Sequence, residues 1–243
     1  MLHKAKAIAL HTVRYGENSL VAYLYTKDFG RVTLMVNNAY GKGKSRTKAI
    51  YFQPLSIVDV IFYPGKNHGM GRLKEVSVSQ SNTSIHLNPI KSAIAVFLGE
   101  IIYRAVREEE SNINLYQFIE ASIQSLDVLD GGVSNFHLLF LAQLSRYLGF
   151  YPSGTYSPAT PYFDYKNGQF VSLQPSHPLF FSRELSEILS TTLTTPYAKS
   201  NNLRLNGKQR SNFLAQMLSY YMLHMESVQH VKSLSILNQV FED

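Results

Sequence analysis

The segment from Asn38 to Ser45, NAYGKGKS, contains residue types that can hold a chain of phosphates. It differs from the nucleotide-binding loop G-x-x-x-x-G-K-[ST] at one position, because Asn38 stands where the first glycine belongs. Such a loop also needs a strand before it and a helix that begins at its Lys-Ser pair. The segment is therefore a candidate for binding either a nucleotide or the phosphates of a longer chain.

The surrounding sequence meets only the first of these conditions. Arg31 to Val36 reads as a strand, but the residues after Ser45, RTKAIYFQPLSIVDVIFY, are rich in β-branched and aromatic types and contain Pro54, which disfavours a helix interior. The 14 positions from Ser45 to Asp59, the carboxylate that could hold magnesium, barely leave room for a crossover helix. We predict no ATP requirement and no cofactor. A polynucleotide-backbone loop and a solvated hairpin loop without a role remain as alternatives.

The positive charge is concentrated in the first third of the chain. The whole sequence has a formal net charge of +6, whereas Met1 to Glu75 contains 12 Lys and Arg against 4 Asp and Glu. Four of these cations lie within seven residues and would repel one another without a polyanionic partner. We predict a nucleic-acid interface formed by these four and by cations on strands or turns: Lys42, Lys44, Arg46 and Lys48 in the loop, with Arg14, Arg31, Arg72 and Lys74.

Composition and motifs argue against several other classes of protein. The chain contains no cysteine, which excludes disulfides and thiolate metal sites, and no run of 18 apolar residues that would predict a membrane span. The eight histidines are scattered without metal-ligand spacing, no G-x-S-x-G occurs, and Glu108 to Glu110 reads as a solvated helix end. We predict a protein of the cytoplasm that is not an enzyme and binds no metal.

Periodicity predicts an α+β protein with two domains. Five short alternating segments between Lys4 and Gln80 suit an N-terminal five-stranded OB-type β-barrel, although an SH3-like barrel has similar strand statistics. From Pro89 the period becomes helical, and Asn135 to Leu148 is apolar nearly all round. We predict a barrel over residues 1–81 and a mainly α-helical domain over 82–243, with a β-hairpin insert near 151–180 that turns at Asn167-Gly168.

The order of these features resembles the bacterial recombination mediator family RecO. The resemblance depends on five short motifs spread over the chain, none of them specific alone. They are the turn Arg14, Tyr15, Gly16, Glu17 and Ser19, the strand FGRVTLMV, the basic loop YGKGKSR, the pair Gln53-Pro54, and the segment LGFYP at Leu148 to Pro152.

The resemblance implies a function and partners. Members anneal complementary strands and help to load recombinase, so we expect single- and double-stranded DNA, RecR and the acidic C-terminal tail of the single-strand DNA-binding protein as partners, in or near the nucleoid. The tail would need an apolar pocket rimmed by cations, which we expect in the helical domain. An OB-fold RNA-binding protein is the alternative, because discrimination of the 2′-hydroxyl leaves no readable mark in this sequence.

One departure from the family concerns the insert. Several relatives carry a four-cysteine zinc site after the L-G-F-x-P segment, whereas this chain has aromatic residues there. We expect an aromatic cluster to supply the burial that the metal supplies elsewhere. Its expected members are Tyr151, Tyr156, Tyr162, Phe163, Tyr165 and Phe170.

Tyrosines of the barrel are further candidates for contact with bases. Tyr23 and Tyr25 alternate on one face of the second strand, and Tyr40 opens the basic loop. Aromatic rings beside cations hold single strands by stacking. The same pattern also suits tyrosines that pack in the protein, and the sequence leaves both alternatives open.

Overall fold

A computed structural model describes residues 1–40, 48–66 and 69–241. The chain forms two compact units, Met1–Asp127 and Val128–Asp243. The first contains the barrel and also three helices that follow it. The prediction that residues 1–81 and 82–243 are separate functional domains stays a prediction.

The first unit is built on a closed five-stranded barrel, as predicted. Its strands are β1 (His3–Tyr15), β2 (Ser19–Thr26), β3 (Gly30–Val36), β4 (Ile57–Tyr63) and β5 (Gly71–Gln80). The strand order is β1-β2-β3-β5-β4, and all neighbours are antiparallel except β3 and β5. This parallel pair joins only Leu34 to Gly71 and Met35 to Arg72, so the barrel closes over a short contact.

Alternation of side chains fills the barrel interior. Small residues of β1 face large residues of the other strands, which is how a narrow barrel is filled. The buried interior comprises Ala5, Ala7 and Ala9 of β1 with Leu20, Ala22, Leu24, Leu34, Val36, Val58, Val60, Phe62 and Leu73. Ile8 and Leu10 are buried on the opposite face of β1. Both faces of this strand are therefore covered, the outer one partly by a helix described below.

The fourth strand begins later than its sequence predicts. The segment FQPLSIVDVIFY, which begins at Phe52, reads as the fourth of the five predicted strands, but Lys48–Phe52 form a 3-10 helix and β4 starts at Ile57. Phe52 is 2% exposed and packs against the barrel interior. Leu55 then adopts a left-handed backbone with φ of 63°. The apolar residues that resemble the start of a strand thus pack against the barrel interior. In the described part of the chain, no α-helix begins after the Lys-Ser pair.

Three helices complete the first unit: α1 (Thr83–Leu87), α2 (Pro89–Ala105) and α3 (Ile113–Val128). The Asn88 side chain caps α2 by accepting hydrogen bonds from the backbone N–H of Ile90 and Lys91. Gly99 lies against β1, because a Cβ atom there would be 2.9 Å from the Leu10 carbonyl oxygen. This helix therefore sits directly on the outer face of β1.

The second unit contains four α-helices and a small sheet within the described residues. The helices are α4 (Phe136–Tyr147), α5 (Arg183–Thr194), α6 (Gly207–His224) and α7 (Leu234–Phe241). The sheet pairs β6 (Tyr162–Asp164) with β7 (Gln169–Val171) and with a third strand that we did not predict, β8 (Phe180–Phe181). The hairpin turns at Gly168, whose φ is 69°. The α4 helix is buried nearly all round, as its composition predicts.

The insert is held by an aromatic cluster. Phe163 lies at its centre and is completely buried. Its ring centroid is 5.1 Å from Phe170, 5.4 Å from Phe181 and 5.4 Å from Tyr220 of α6. The Tyr220 hydroxyl donates to the Phe150 carbonyl oxygen, which ties α6 to the segment before the insert. We name Phe163, Phe170, Phe181 and Tyr220 the insert cluster.

Asp164 should make this unit sensitive to acid. Burial raises the pKa of Asp164, but hydrogen bonds from Asn167 and Lys166 and the charge of His177 outweigh this effect, so the pKa lies below the ordinary value of an aspartate. A carboxylate with a lowered folded pKa stabilises the fold above its unfolded pKa and loses that contribution as pH falls through the folded value. We therefore expect stability to fall below about pH 4.

Urea unfolding of the wild type and of Asp164→Asn across that acidic range measures this effect. The variant should show a shallower fall of stability with decreasing pH. The exposed Asp130→Asn is the matched control and should follow the wild type. Equal slopes for all three proteins would mean that Asp164 does not carry the effect.

Candidate nucleic-acid interface

The ends of the basic loop are fixed to the barrel. Of its four predicted contact residues, Lys42, Lys44 and Arg46 lie outside the described residues, and Lys48 begins the 3-10 helix in a half-buried position. Ala39 is completely buried, and its carbonyl oxygen accepts a hydrogen bond of 3.3 Å from the Ala49 backbone N–H. The residues that flank the loop on its two sides are therefore joined by a hydrogen bond.

Arg14 lies beside the start of this loop. Its guanidinium is 5.4 Å from the ring centroid of Tyr40, and its Nη2 donates to the Glu17 carbonyl oxygen at 3.0 Å. The Tyr40 backbone N–H donates to the Asn18 carbonyl oxygen at 3.2 Å. Arg14 is exposed and the Tyr40 side chain is 42% exposed. A cation and an aromatic ring thus lie together where the start of the basic loop, which follows β3, contacts the β1–β2 turn.

Arg31 is held more tightly than Arg14. Its Nη1 donates to the Tyr103 carbonyl oxygen at 3.1 Å, and its guanidinium lies 4.3 Å from the Tyr103 ring and 5.5 Å from the Tyr23 ring. Its backbone N–H donates to the Glu108 carbonyl oxygen at 3.0 Å. A half-buried guanidinium fixed in this way offers a cation of defined position rather than a mobile one.

Arg72 and Lys74 lie on the same side of β5, two residues apart, and both are exposed. When the Asn37 side-chain amide is rotated by 180°, its oxygen accepts hydrogen bonds of 3.1 Å from both Nε and Nη2 of Arg72. Lys74 Nζ lies 3.4 Å from Glu75 Oε1. Because that pair is exposed, it stabilises the fold little and leaves Lys74 available to an incoming phosphate.

The barrel tyrosines pack within the first unit. Tyr25 is 1% exposed, its ring lies 6.2 Å from that of Tyr116, and burial raises the pKa of Tyr25 to about 12. Tyr23 is half-buried, with its ring 5.0 Å from that of Tyr103. Burial and Tyr103 raise the pKa of Tyr23 against the opposing charge of Arg31. For Tyr23 and Tyr25 the structure therefore shows packing, whereas Tyr40 is exposed.

Sequence reasoning missed residues from the end of α2 and from the segment that follows it. Tyr103, Arg104 and Arg107 follow the helical stripe and lie near the start of β3, where Arg31 contacts Tyr103. A signal was present in the arginines, which are three residues apart near the end of a predicted helix. The backbone of the exposed acidic run beyond them lies against the start of β3: the Glu108 carbonyl oxygen accepts a hydrogen bond from the Arg31 backbone N–H, and a Cβ on Gly30 would be 2.4 Å from the Glu110 carbonyl oxygen.

The described residues hold no group of three or more His, Asp or Glu side chains that could bind a metal ion. Over the same residues, no helix is both long and apolar enough to cross a membrane. The arrangement instead offers cations at several points around a barrel, beside exposed aromatic surface. Such a surface can neutralise phosphates and stack bases.

Completing the nucleotide-binding pattern should not create a nucleotide site. Asn38 has a φ of 53°, a conformation that glycine adopts without strain, so we expect Asn38→Gly to fold. We expect neither the wild type nor this variant to bind ATP with magnesium more tightly than about millimolar, because the sequence after the loop forms a 3-10 helix and then β4 instead of an α-helix. Titration calorimetry measures this, and a micromolar dissociation constant for either protein would contradict it.

Comparison with known proteins gives matches along nearly the whole chain. The family models described as "Recombination protein O N terminal" and "Recombination protein O C terminal" match residues 1–82 and 86–234. The chain is 35% identical over 242 residues to the DNA repair protein RecO of Azobacteroides pseudotrichonymphae, with 100% of both chains covered. It is 35% identical to that of Bacteroides fragilis, again with 100% of both covered. It is 36% identical to that of Christiangramia forsetii, over 99% of this chain and 100% of the relative.

Proposed function

The chain belongs to the recombination protein O (RecO) family of DNA repair proteins, and from this membership we propose that it is a recombination mediator. In this role it anneals complementary strands and helps to load recombinase onto single-stranded DNA, without enzymatic activity. The observation that supports it best is the fixed base of the basic loop beside Arg14 and Tyr40 on a closed barrel.

Annealing requires that two phosphate backbones approach each other while their bases remain free to pair. Cations at separate points around the barrel can contact two strands, since phosphate contacts carry no sequence information. Neutralising phosphates releases counterions and favours binding of single and double strands alike. We therefore propose the predicted interface as the DNA site: Arg14, Arg31, Lys42, Lys44, Arg46, Lys48, Arg72 and Lys74.

Two protein partners are part of the proposal. RecR and the acidic tail of the single-strand DNA-binding protein would bring the mediator to coated DNA in the cytoplasm, at the nucleoid. We propose that the barrel, residues 1–81, binds nucleic acid and that the helical domain, residues 82–243, receives the tail. Most of the segment Leu218–Met225, at the end of α6 and its C-cap, is buried or half-buried. Leu223 is 45% exposed and is the apolar side chain of this segment that a partner could contact.

Binding of RNA is the second candidate, because an OB-type barrel suits either nucleic acid. Affinities for DNA and RNA oligonucleotides of the same sequence separate the two. We expect no preference for RNA, since the described interface consists of cations and rings that can contact either backbone.

The experiment that tests the proposed function is annealing of bare complementary strands without nucleotide. The protein should raise the annealing rate above the spontaneous rate, and adding ATP with magnesium should leave that rate unchanged. Binding to DNA without acceleration of annealing would contradict the proposed activity while leaving the DNA site in place.

A further inference from the structure

A cavity of about 1250 Å³ opens in the first unit beside the start of β3. Its walls come from the β2–β3 turn, the first half of β3, the β4–β5 turn and the C-terminal end of α2. Typical pockets for one small molecule measure about 300–1000 Å³. This cavity therefore has room for more than one nucleotide. We name it the β3 cavity.

The β3 cavity exists because the barrel closes over a short contact. The strand β5 pairs with Leu34 and Met35 of β3, and the earlier residues of β3 line the cavity instead. Gly65 and Gly69, which also line the cavity, lie close together, since a Cβ on Gly65 would be 2.2 Å from the Gly69 carbonyl oxygen. Gly65, Gly69 and Gly71, which line the cavity here, carry no side chains of their own.

Aromatic rings form the floor of the β3 cavity. His3 and Phe29 stack with ring centroids 4.7 Å apart and an interplanar angle of 21°. Phe62 meets both edge-on, at 5.5 Å from His3 and 6.0 Å from Phe29. Phe29 and His3 are half-buried, and Phe62 is buried within the barrel. The floor is thus a packed aromatic surface rather than a set of mobile side chains.

Three arginines line the cavity together with this floor, and two acidic residues, Asp28 and Glu109, also line it. Arg31 is fixed by Tyr103, and Arg104 forms an ion pair of 2.7 Å with Glu100. Arg107 is exposed and is the arginine of the three that is best placed to move towards a ligand. A ring of guanidinium groups around stacked aromatic rings suits a ligand that carries both planar rings and phosphates.

We propose that the β3 cavity takes bases of single-stranded DNA, stacked on Phe29 and His3, with the adjoining phosphates on Arg31 and Arg107. The inference rests on the proposed DNA-binding function and assigns to it a second, single-strand-specific site. A duplex keeps its bases stacked and paired inside the helix, so it cannot place them on this floor. The phosphates of either form can still reach the basic loop.

Continuity with the proposed interface favours DNA over an acidic peptide as the occupant. Arg31 lines the cavity and belongs to that interface, and Gly71, which also lines it, directly precedes Arg72. A strand that leaves the cavity along β5 would meet Arg72 and then Lys74, both exposed. Holding a few nucleotides in this way leaves the rest of the strand free to pair.

The test compares binding of oligothymidylate with binding of a blunt DNA hairpin that carries the same number of phosphates and is closed by a linker without bases. The variants are Arg107→Ala and Phe29→Leu, the latter chosen to keep apolar contact with the barrel while removing the ring. Because stacking of a base on an aromatic ring strengthens single-strand binding, we expect the affinity ratio of single strand to hairpin to fall about tenfold in Phe29→Leu. Arg107→Ala should lower the ratio by several-fold, and the exposed Arg204→Ala is the matched control that should not change it.

The outcomes separate this inference from the proposed function. Unchanged ratios in both variants would overturn the single-strand site, whereas wild-type protein that binds neither DNA would overturn the proposed function itself. An acidic peptide that loses binding in both variants while oligothymidylate binding persists would assign the cavity to a protein partner and overturn the inference.

A second measurement covers the case in which Phe29→Leu fails to fold. Oligonucleotides containing 5-iododeoxyuridine crosslink to aromatic side chains on irradiation. With wild-type protein we expect adducts on His3, Phe29 or Tyr103. Adducts confined to residues outside the cavity would overturn the proposal.

Discussion

Replacing Lys42, Lys44, Arg46 and Lys48 together by Ala should weaken DNA binding to a similar extent for all sequences and flatten its dependence on salt. Each contact to a single-strand phosphate contributes roughly −0.7 to the slope of log affinity against log salt, so losing four would reduce its magnitude by up to about 3. Because phosphate contacts position DNA without specifying its sequence, the loss should not depend on the oligonucleotide. Fluorescence anisotropy at several salt concentrations measures both effects.

The matched control replaces four exposed cations of the second unit, Lys166, Lys199, Arg204 and Lys208, and so removes the same charge. Its salt slope should remain close to that of the wild type. Exposed substitutions normally change stability by less than about 0.5 kcal/mol, so both proteins should unfold near the wild-type midpoint. An unaltered slope in the loop variant would show that the loop is only a solvated hairpin and that DNA binds elsewhere on the barrel.

Replacing Phe163 by Ala should destabilise the second unit by about 3–5 kcal/mol, the range for deleting a buried phenylalanine ring. Phe163 is completely buried, and its ring contacts Phe170, Phe181 and Tyr220, so the vacated space is bounded by rings that cannot easily collapse into it. The insert cluster would thereby be shown to hold the insert without metal. Urea unfolding followed by tyrosine circular dichroism in the near ultraviolet measures the loss.

Leu173→Ala in the same insert is the matched control. Leu173 is 80% exposed, so its substitution should change stability by less than about 0.5 kcal/mol. Because the chain has two compact units, the transition of the second unit must be followed separately from that of the first. A loss below about 1 kcal/mol for Phe163→Ala would mean that the insert is not held by this cluster.

Much of the fold could be predicted because its signals are local. Alternation in five segments identified the five barrel strands, and the apolar run before Gly149 identified the buried helix α4. The 3-10 helix at Lys48–Phe52 was missed because its apolar residues suit a strand equally well. Its conformation depends on the packing of Phe52 against the barrel interior, which the local sequence does not reveal. The strand β8 is two residues long, too short for any periodicity to reveal.

The site was less predictable because its geometry depends on residues distant in sequence. Charge and motif placed Arg14, Arg31, Arg72 and Lys74 on the barrel, and the structure finds them there with three of them exposed. The partner that fixes Arg31, Tyr103, lies 72 residues further along the chain. The sequence carries no pairing signal over such a separation. For the same reason it could not decide between stacking and packing for Tyr23 and Tyr25.

The most direct test of the proposed mediator function is annealing of complementary strands that are both coated with cognate single-strand DNA-binding protein. The assay depends on DNA binding, the protein partner and the activity together, and it requires no nucleotide. We expect the wild type to anneal the coated strands and the four-residue loop variant to anneal them far more slowly. Coated strands that anneal no faster with the wild type than without it would contradict the proposed function.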